Sequence, residues 1–186
     1  MRSVAVCLGV VLVGATMAHA AMGRPAPEQN QLSGRYSTHF QNGDVSGDTY
    51  WSDNVLEVVP VSAEAAYLRI ETQFFNGHMC SLSGIGRMEG EALVYQEPPF
   101  MAGEKPCRLT LRRTGKDVVL QDTDSACRVG HCGARGSFNG QTFPLSSHRA
   151  ITYMPRLKAS RQYQAALKAW AASPNHSDHA AQADQP

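Results

Sequence analysis

Tyr67-Leu68-Arg69-Ile70-Glu71-Thr72-Gln73-Phe74 is the stretch on which the fold class turns. Leu68, Ile70 and Phe74 fall on one side of an extended chain and Arg69, Glu71 and Gln73 on the other, the period of two that a half-buried β-strand requires. Cys107-Arg108-Leu109-Thr110-Leu111-Arg112 repeats it, with Cys107, Leu109 and Leu111 opposed to Arg108, Thr110 and Arg112. Turn signals separate such segments: Asn42-Gly43, Asn76-Gly77, Glu89-Gly90, Gly115-Lys116 and Asn139-Gly140. Asn-Gly suits a type I′ hairpin because both central residues there need positive φ. Strands are predicted near 34–41, 48–52, 55–61, 66–75, 78–88, 92–97, 107–113, 117–122, 134–138 and 141–144. Consecutive tight hairpins imply a mainly β protein, an antiparallel meander curled into a small barrel or sandwich.

After Pro155 the period changes. Ala159, Tyr163, Ala166, Leu167 and Trp170 recur on one helical face, which predicts a single C-terminal amphipathic α-helix over about 158–172, packed on the sheet with Trp170 as its main anchor. Ser173-Pro174 ends it, and 173–186 reads as a disordered tail. With a Pro/Gln-rich flexible lead at 21–32, this leaves one β-rich domain over 33–172.

The first twenty residues read as an address. Met1-Arg2 is basic, Val4 to Ala18 is an uncharged, mostly apolar run, and Ala18-His19-Ala20 fits a signal peptidase site. A signal peptide over 1–20 predicts a periplasmic or secreted protein starting at Ala21, with no transmembrane segment after cleavage. The 186 residues carry 17 Lys+Arg and 16 Asp+Glu, so the mature chain is neutral once Arg2 is removed. That balance argues against a nucleic-acid-binding tail. It hides a segregation: residues 126–177 hold seven basic residues and no acid. The expectation is that this segment lies against the acidic half of its own domain; an anionic partner is the other reading.

Outside the signal stand Cys80, Cys107, Cys127 and Cys132. An even count in an exported chain implies two disulfides, with three possible connectivities. Cys80–Cys107 with Cys127–Cys132 is the simplest. No pair has the C-x2-C spacing of a zinc site, so no metal and no cofactor is expected. Nor is an enzyme: there is no G-x-S-x-G elbow, Gly84, Gly86 and Gly90 do not join a strand to a helix, and Glu57, Glu71, Glu89, Glu91 and Glu97 fall mostly on outer faces or turns.

Closed on itself, Cys127-Arg128-Val129-Gly130-His131-Cys132 would be a six-residue ring with a basic tip. It resembles the loop with which Ivy-type bacterial lysozyme inhibitors plug an active site, where a disulfide-closed loop presents a His to catalytic carboxylates. The resemblance implies a preorganised loop that docks at low entropic cost, with Arg128, His131 and Arg135 as candidate binding residues. More broadly, Cys80-Ser81-Leu82-Ser83-Gly84, Glu89-Gly90-Glu91-Ala92-Leu93-Val94-Tyr95, Cys107-Arg108-Leu109-Thr110-Leu111 and Cys132-Gly133-Ala134-Arg135-Gly136-Ser137-Phe138 look like a recurring, uncharacterised exported β-domain of proteobacteria. These readings lead to a non-enzymatic, monomeric binding protein whose partner is a cell-wall hydrolase or another envelope protein. One alternative is a calycin-like carrier of a small apolar ligand, its cavity lined by residues such as Trp51, Leu68, Ile70, Phe74 and Tyr95. Another is an envelope scaffold docking through the basic C-terminal segment.

Overall fold

The computed structural model describes residues 29–173. The signal peptide, most of the lead and all but the first residue of the tail lie outside the described residues. A short helix α1 (Gln29–Leu32) leads into eight strands: β1 (Gly34–Gly43), β2 (Thr49–Pro60), β3 (Ala65–Gln73), β4 (Met79–Glu89), β5 (Ala92–Glu97), β6 (Cys107–Thr114), β7 (Asp117–Asp122) and β8 (Thr142–Pro144). A helical turn α2 (Arg128–His131) lies between β7 and β8, and α3 (Met154–Lys158) and α4 (Arg161–Ala171) follow. The strands pair antiparallel in chain order as one nearly closed, barrel-like sheet.

The alternation in the sequence sorts side chains between two layers. Leu56, Leu68, Ile70, Leu82, Leu93, Leu109, Leu111, Val118, Leu120 and Phe143 fill the interior at 0–1% exposure; each large apolar side chain stabilises the fold by about 1.5–3 kcal/mol relative to exposure. On the outer face, Val59, Tyr67 and Ile85 form a second core with Ile151, Leu157, Tyr163 and Ala166. Helix α4 starts where the Ser160 hydroxyl accepts a hydrogen bond from the Tyr163 amide, an N-cap. Tyr163 and Ala166 are its buried residues, with the Tyr163 ring 4.8 Å from that of Tyr67. Trp170 is only half-buried, so it is not the main anchor.

Three local expectations are corrected. The predicted 48–52 and 55–61 strands are one continuous β2. Asn42-Gly43 is not a turn but the end of β1, opposite Tyr50 and Thr49. The chain reverses at Asp44–Asp48, where Asp44 Oδ1 accepts from the amides of Ser46 and Asp48, so an Asx-type turn outcompetes Asn-Gly. Residues 134–138 are not a strand but a turn at Ala134-Arg135 followed by irregular chain. Arg128 donates to the carbonyls of Ala134 and Gly136, occupying acceptors that a strand neighbour would use.

The disulfides also differ from the simplest pairing: they are Cys80–Cys132 and Cys107–Cys127. The cause is a parting of strands. β4 and β5 pair only from Arg87↔Val94 to the hairpin end at Glu89↔Ala92, so the outer half of β4 leaves β5 and β6, and Cys80 with it. The chain after α2 takes the vacated place, with Cys132 bridging Cys80 and the Gly133 amide donating to the Met79 carbonyl at 2.8 Å. Cys107 sits on β6 beside the end of β7, where Asp122 Oδ1 accepts from the Cys127 amide and folds Cys127 back onto it. At the other seam, the Arg35 and Arg149 main chains exchange hydrogen bonds of 2.9 and 2.8 Å and draw β1 toward the chain after β8. Among the described residues no helix is long and apolar enough to cross a membrane.

Candidate functional site

The parting of β4 and β5 leaves a cleft of about 820 Å³. Toward the cleft, β4 between Ser83 and Ile85 has no strand partner; its partner there is β3 alone. Gly84 explains the shape of this wall. A Cβ at Gly84 would stand 2.2 Å from the Tyr95 ring, so only glycine lets the ring lie across the strand. Ile85, Val94 and Tyr95 make the strand walls, and α4 lays Ala165, Ala166, Ala169 and Trp170 along the other side. The small alanines leave the width open, and the Arg87 guanidinium sits 5.0 Å over the Trp170 ring, a cation–π contact that holds the indole in place.

Glu97 lines the cleft at the end nearest α2. Tyr95 donates to its Oε2 at 2.6 Å, and its Oε1 lies 2.5 Å from His131 Nε2, while His131 Nδ1 meets the Ser81 carbonyl at 3.2 Å. Burial pulls Glu97 upward, but hydrogen bonds from His131 and Tyr95 and the His131 charge hold it below the usual carboxylate range. For His131, burial works against protonation, yet the hydrogen bond and charge of Glu97 lift it above the ordinary imidazole value. Burial, then the Glu97 contact, pushes the Tyr95 phenol far up. The result is an imidazole–carboxylate contact in which each group favours the charged form of the other, partly shielded at 18% and 28% side-chain exposure, tying the turn after β7 to β5. The Cys107 sulfur lies within 4.8 Å of both groups. It is bonded to Cys127, which leaves two ligand groups and no cation site.

The candidate binding residues do not converge. His131 points into the protein toward Glu97, Arg128 folds onto the carbonyls of Ala134 and Gly136, and Arg135 lies over the Phe75 ring at 5.6 Å. With the two cysteines bonded to different strands, the closed ring that was to present His131 and Arg128 is not formed. Nor does the barrel interior provide the expected cavity. Leu68 and Ile70 are packed core, Trp51 is 66% exposed and stacks on His39, and of the five proposed lining residues only Tyr95 reaches the cleft. The basic segment does pack on the half that carries the acids, through Ile151, Leu157, Tyr163 and Ala166, but not by ion pairs of its arginines and lysines. Among the described residues none of its arginines or lysines makes an ion pair; Arg149 donates to the Ser146 and His148 carbonyls and Arg156 covers the Tyr153 ring.

Sequence reasoning passed over Tyr95 and Glu97 as a unit and missed Arg87. One signal was present: on β5, Leu93, Tyr95 and Glu97 share the inward face, and an acid in an apolar row marks a buried partner. No family model, no curated protein and no solved structure matches the chain.

Proposed function

We propose that the chain is a non-enzymatic, exported binding protein, a calycin-like module that carries its ligand in the side cleft between β4, β5 and α4 rather than in the barrel interior. The observation that carries this reading is the cleft itself. Its volume lies in the range of small-molecule sites, and it joins apolar walls to a few polar groups at the ends, Arg87 and Glu97. The ligand class that fits is a small, mainly apolar molecule with a polar group, its apolar part against Ile85, Val94, Ala169 and Trp170. The reading as a non-enzyme is supported by saturation of the polar groups: both Glu97 oxygens and both His131 nitrogens already have partners. The alternative of a hydrolase inhibitor loses its preorganised ring, and the cleft needs no such loop.

The test uses the chain's two tryptophans. In a Trp51→Phe variant Trp170 is the only reporter, and titration with the apolar fluorophore N-phenyl-1-naphthylamine should give saturable energy transfer at one probe per chain. Ala169→Phe, which fills the cleft from an exposed helix position without adding a second tryptophan, should abolish the binding while the circular dichroism spectrum and melting temperature persist. Non-saturable transfer, or binding unaffected by Ala169→Phe, refutes the assignment.

A further inference from the structure

Across the outer face of the sheet runs a row set by register: Arg35 of β1 stands opposite Glu57 of β2, and Glu57 opposite Arg69 of β3. Glu57 is fully buried, and both its oxygens are taken. Arg69 Nε donates to Oε2 at 2.7 Å, and the Tyr153 hydroxyl donates to Oε1. Arg156 of α3 closes over the row, its guanidinium 5.4 Å from the Tyr153 ring. Together these side chains wall a second concavity of about 400 Å³, which also receives Tyr67 and Ser160. Three arginines therefore line one pocket with a single carboxylate, Glu57, which pairs with Arg69 alone. Neither Arg35 nor Arg156 has an acid within ion-pairing distance among the described residues.

A further feature favours an anion here. Ser160 is the N-cap of α4, so the positive end of that helix dipole faces the same space.

We propose that this pocket binds an oxyanionic group of the phosphate class, with Arg35 and Arg156 as the contacting cations and Glu57 as the positioning residue that fixes Arg69 and Tyr153 around it. Planar, multidentate guanidinium donors match phosphate oxygens better than point charges do. The site shares only Gln162 with the lining of the β4–β5 cleft and stands whether or not that cleft takes an apolar ligand.

The test is a phosphate titration at constant ionic strength, with chloride as the control, followed by the NMR shifts of the arginine Nε–H groups and the Gln162 amide. Saturable shifts are expected at Arg35, Arg69 and Arg156. Arg35→Ala and Arg156→Ala should each weaken binding about tenfold, the scale of one charge-assisted hydrogen bond, and Arg156→Lys should recover part of the loss. Both positions are at least partly exposed, so the variants should keep the wild-type melting temperature. A parallel arm uses vesicles of phosphatidylglycerol against phosphatidylcholine. Cosedimentation with the anionic vesicles alone, lost in the double alanine variant, makes a lipid headgroup the source; phosphate binding without vesicle binding makes it a free phosphate compound. Shifts that do not saturate, that chloride reproduces, or that survive in the double variant overturn the proposal.

Discussion

Replacing His131 by Ala removes one partner of a partly buried ion pair, and the loss should depend on pH in a defined direction. Glu97 would keep only the Tyr95 hydroxyl, and the turn between Cys127 and Cys132 would lose its link to β5. A charge-assisted hydrogen bond contributes about 1.5–3 kcal/mol, and the shielding of both groups places this one in the upper half of that range. His131 has its pKa raised in the folded state from 6.5, so its contribution is fully present below about pH 6.5 and fades as pH rises through the elevated value. Glu97 is lowered from 4.5, so its share is present above about pH 4.5 and is lost as pH falls through the depressed value. The pair therefore acts at full strength between roughly pH 4.5 and 6.5. Urea unfolding with intact disulfides should show His131→Ala less stable by about 2–3 kcal/mol at pH 5.5 and by about 1 kcal/mol at pH 9, where a neutral hydrogen bond is all that is removed. An equal loss at both pH values, a larger one at pH 9, or none at all, as for an imidazole facing solvent, refutes the reasoning.

Peptide mapping without reduction should recover Cys80–Cys132 and Cys107–Cys127, and no Cys127–Cys132 species. Since the bridges span 52 and 20 residues, their removal as paired alanine variants should destabilise the fold by roughly 4 and roughly 3 kcal/mol respectively in denaturant titrations. Gly84→Ala should lower stability by about 1–3 kcal/mol by overpacking against the Tyr95 ring, and adding Tyr95→Leu should restore part of it, read as a melting-temperature rescue. Arg87→Ala should shift the Trp170 emission and weaken the fold by about 0.5–1 kcal/mol, the scale of a partly exposed cation–π contact.

Much of the architecture was legible because alternation and turn chemistry are local. Leu68, Ile70, Leu109 and Leu111 face inward as their spacing requires, and the hairpins at Glu89-Gly90 and Gly115-Lys116 form where Gly supplies positive φ. The site was less legible because it arises where locality fails. Nothing within β4 or β5 announces that they part after three pairs; that depends on residues 131–133, more than thirty positions beyond β5, pairing with β4 instead. The same event moved Cys80 away from Cys107 and turned His131 inward. Glu57 was similarly hidden: it reads as an outward acid on a surface strand until α3 brings Tyr153 and Arg156 over it.

The two seams of the sheet have a mechanical consequence. β1–β4 and β5–β8 are two curved leaves, joined at one edge by the short ladder beside Glu89 and drawn together at the other by the main-chain pair of Arg35 and Arg149. Such leaves could swing apart about the hairpin. The Cys80–Cys132 bond spans the gap between them, from the first leaf to the chain of the second. It acts as a stay that limits the swing at the far end of the split. A guest that requires a wider opening must first break a covalent bond.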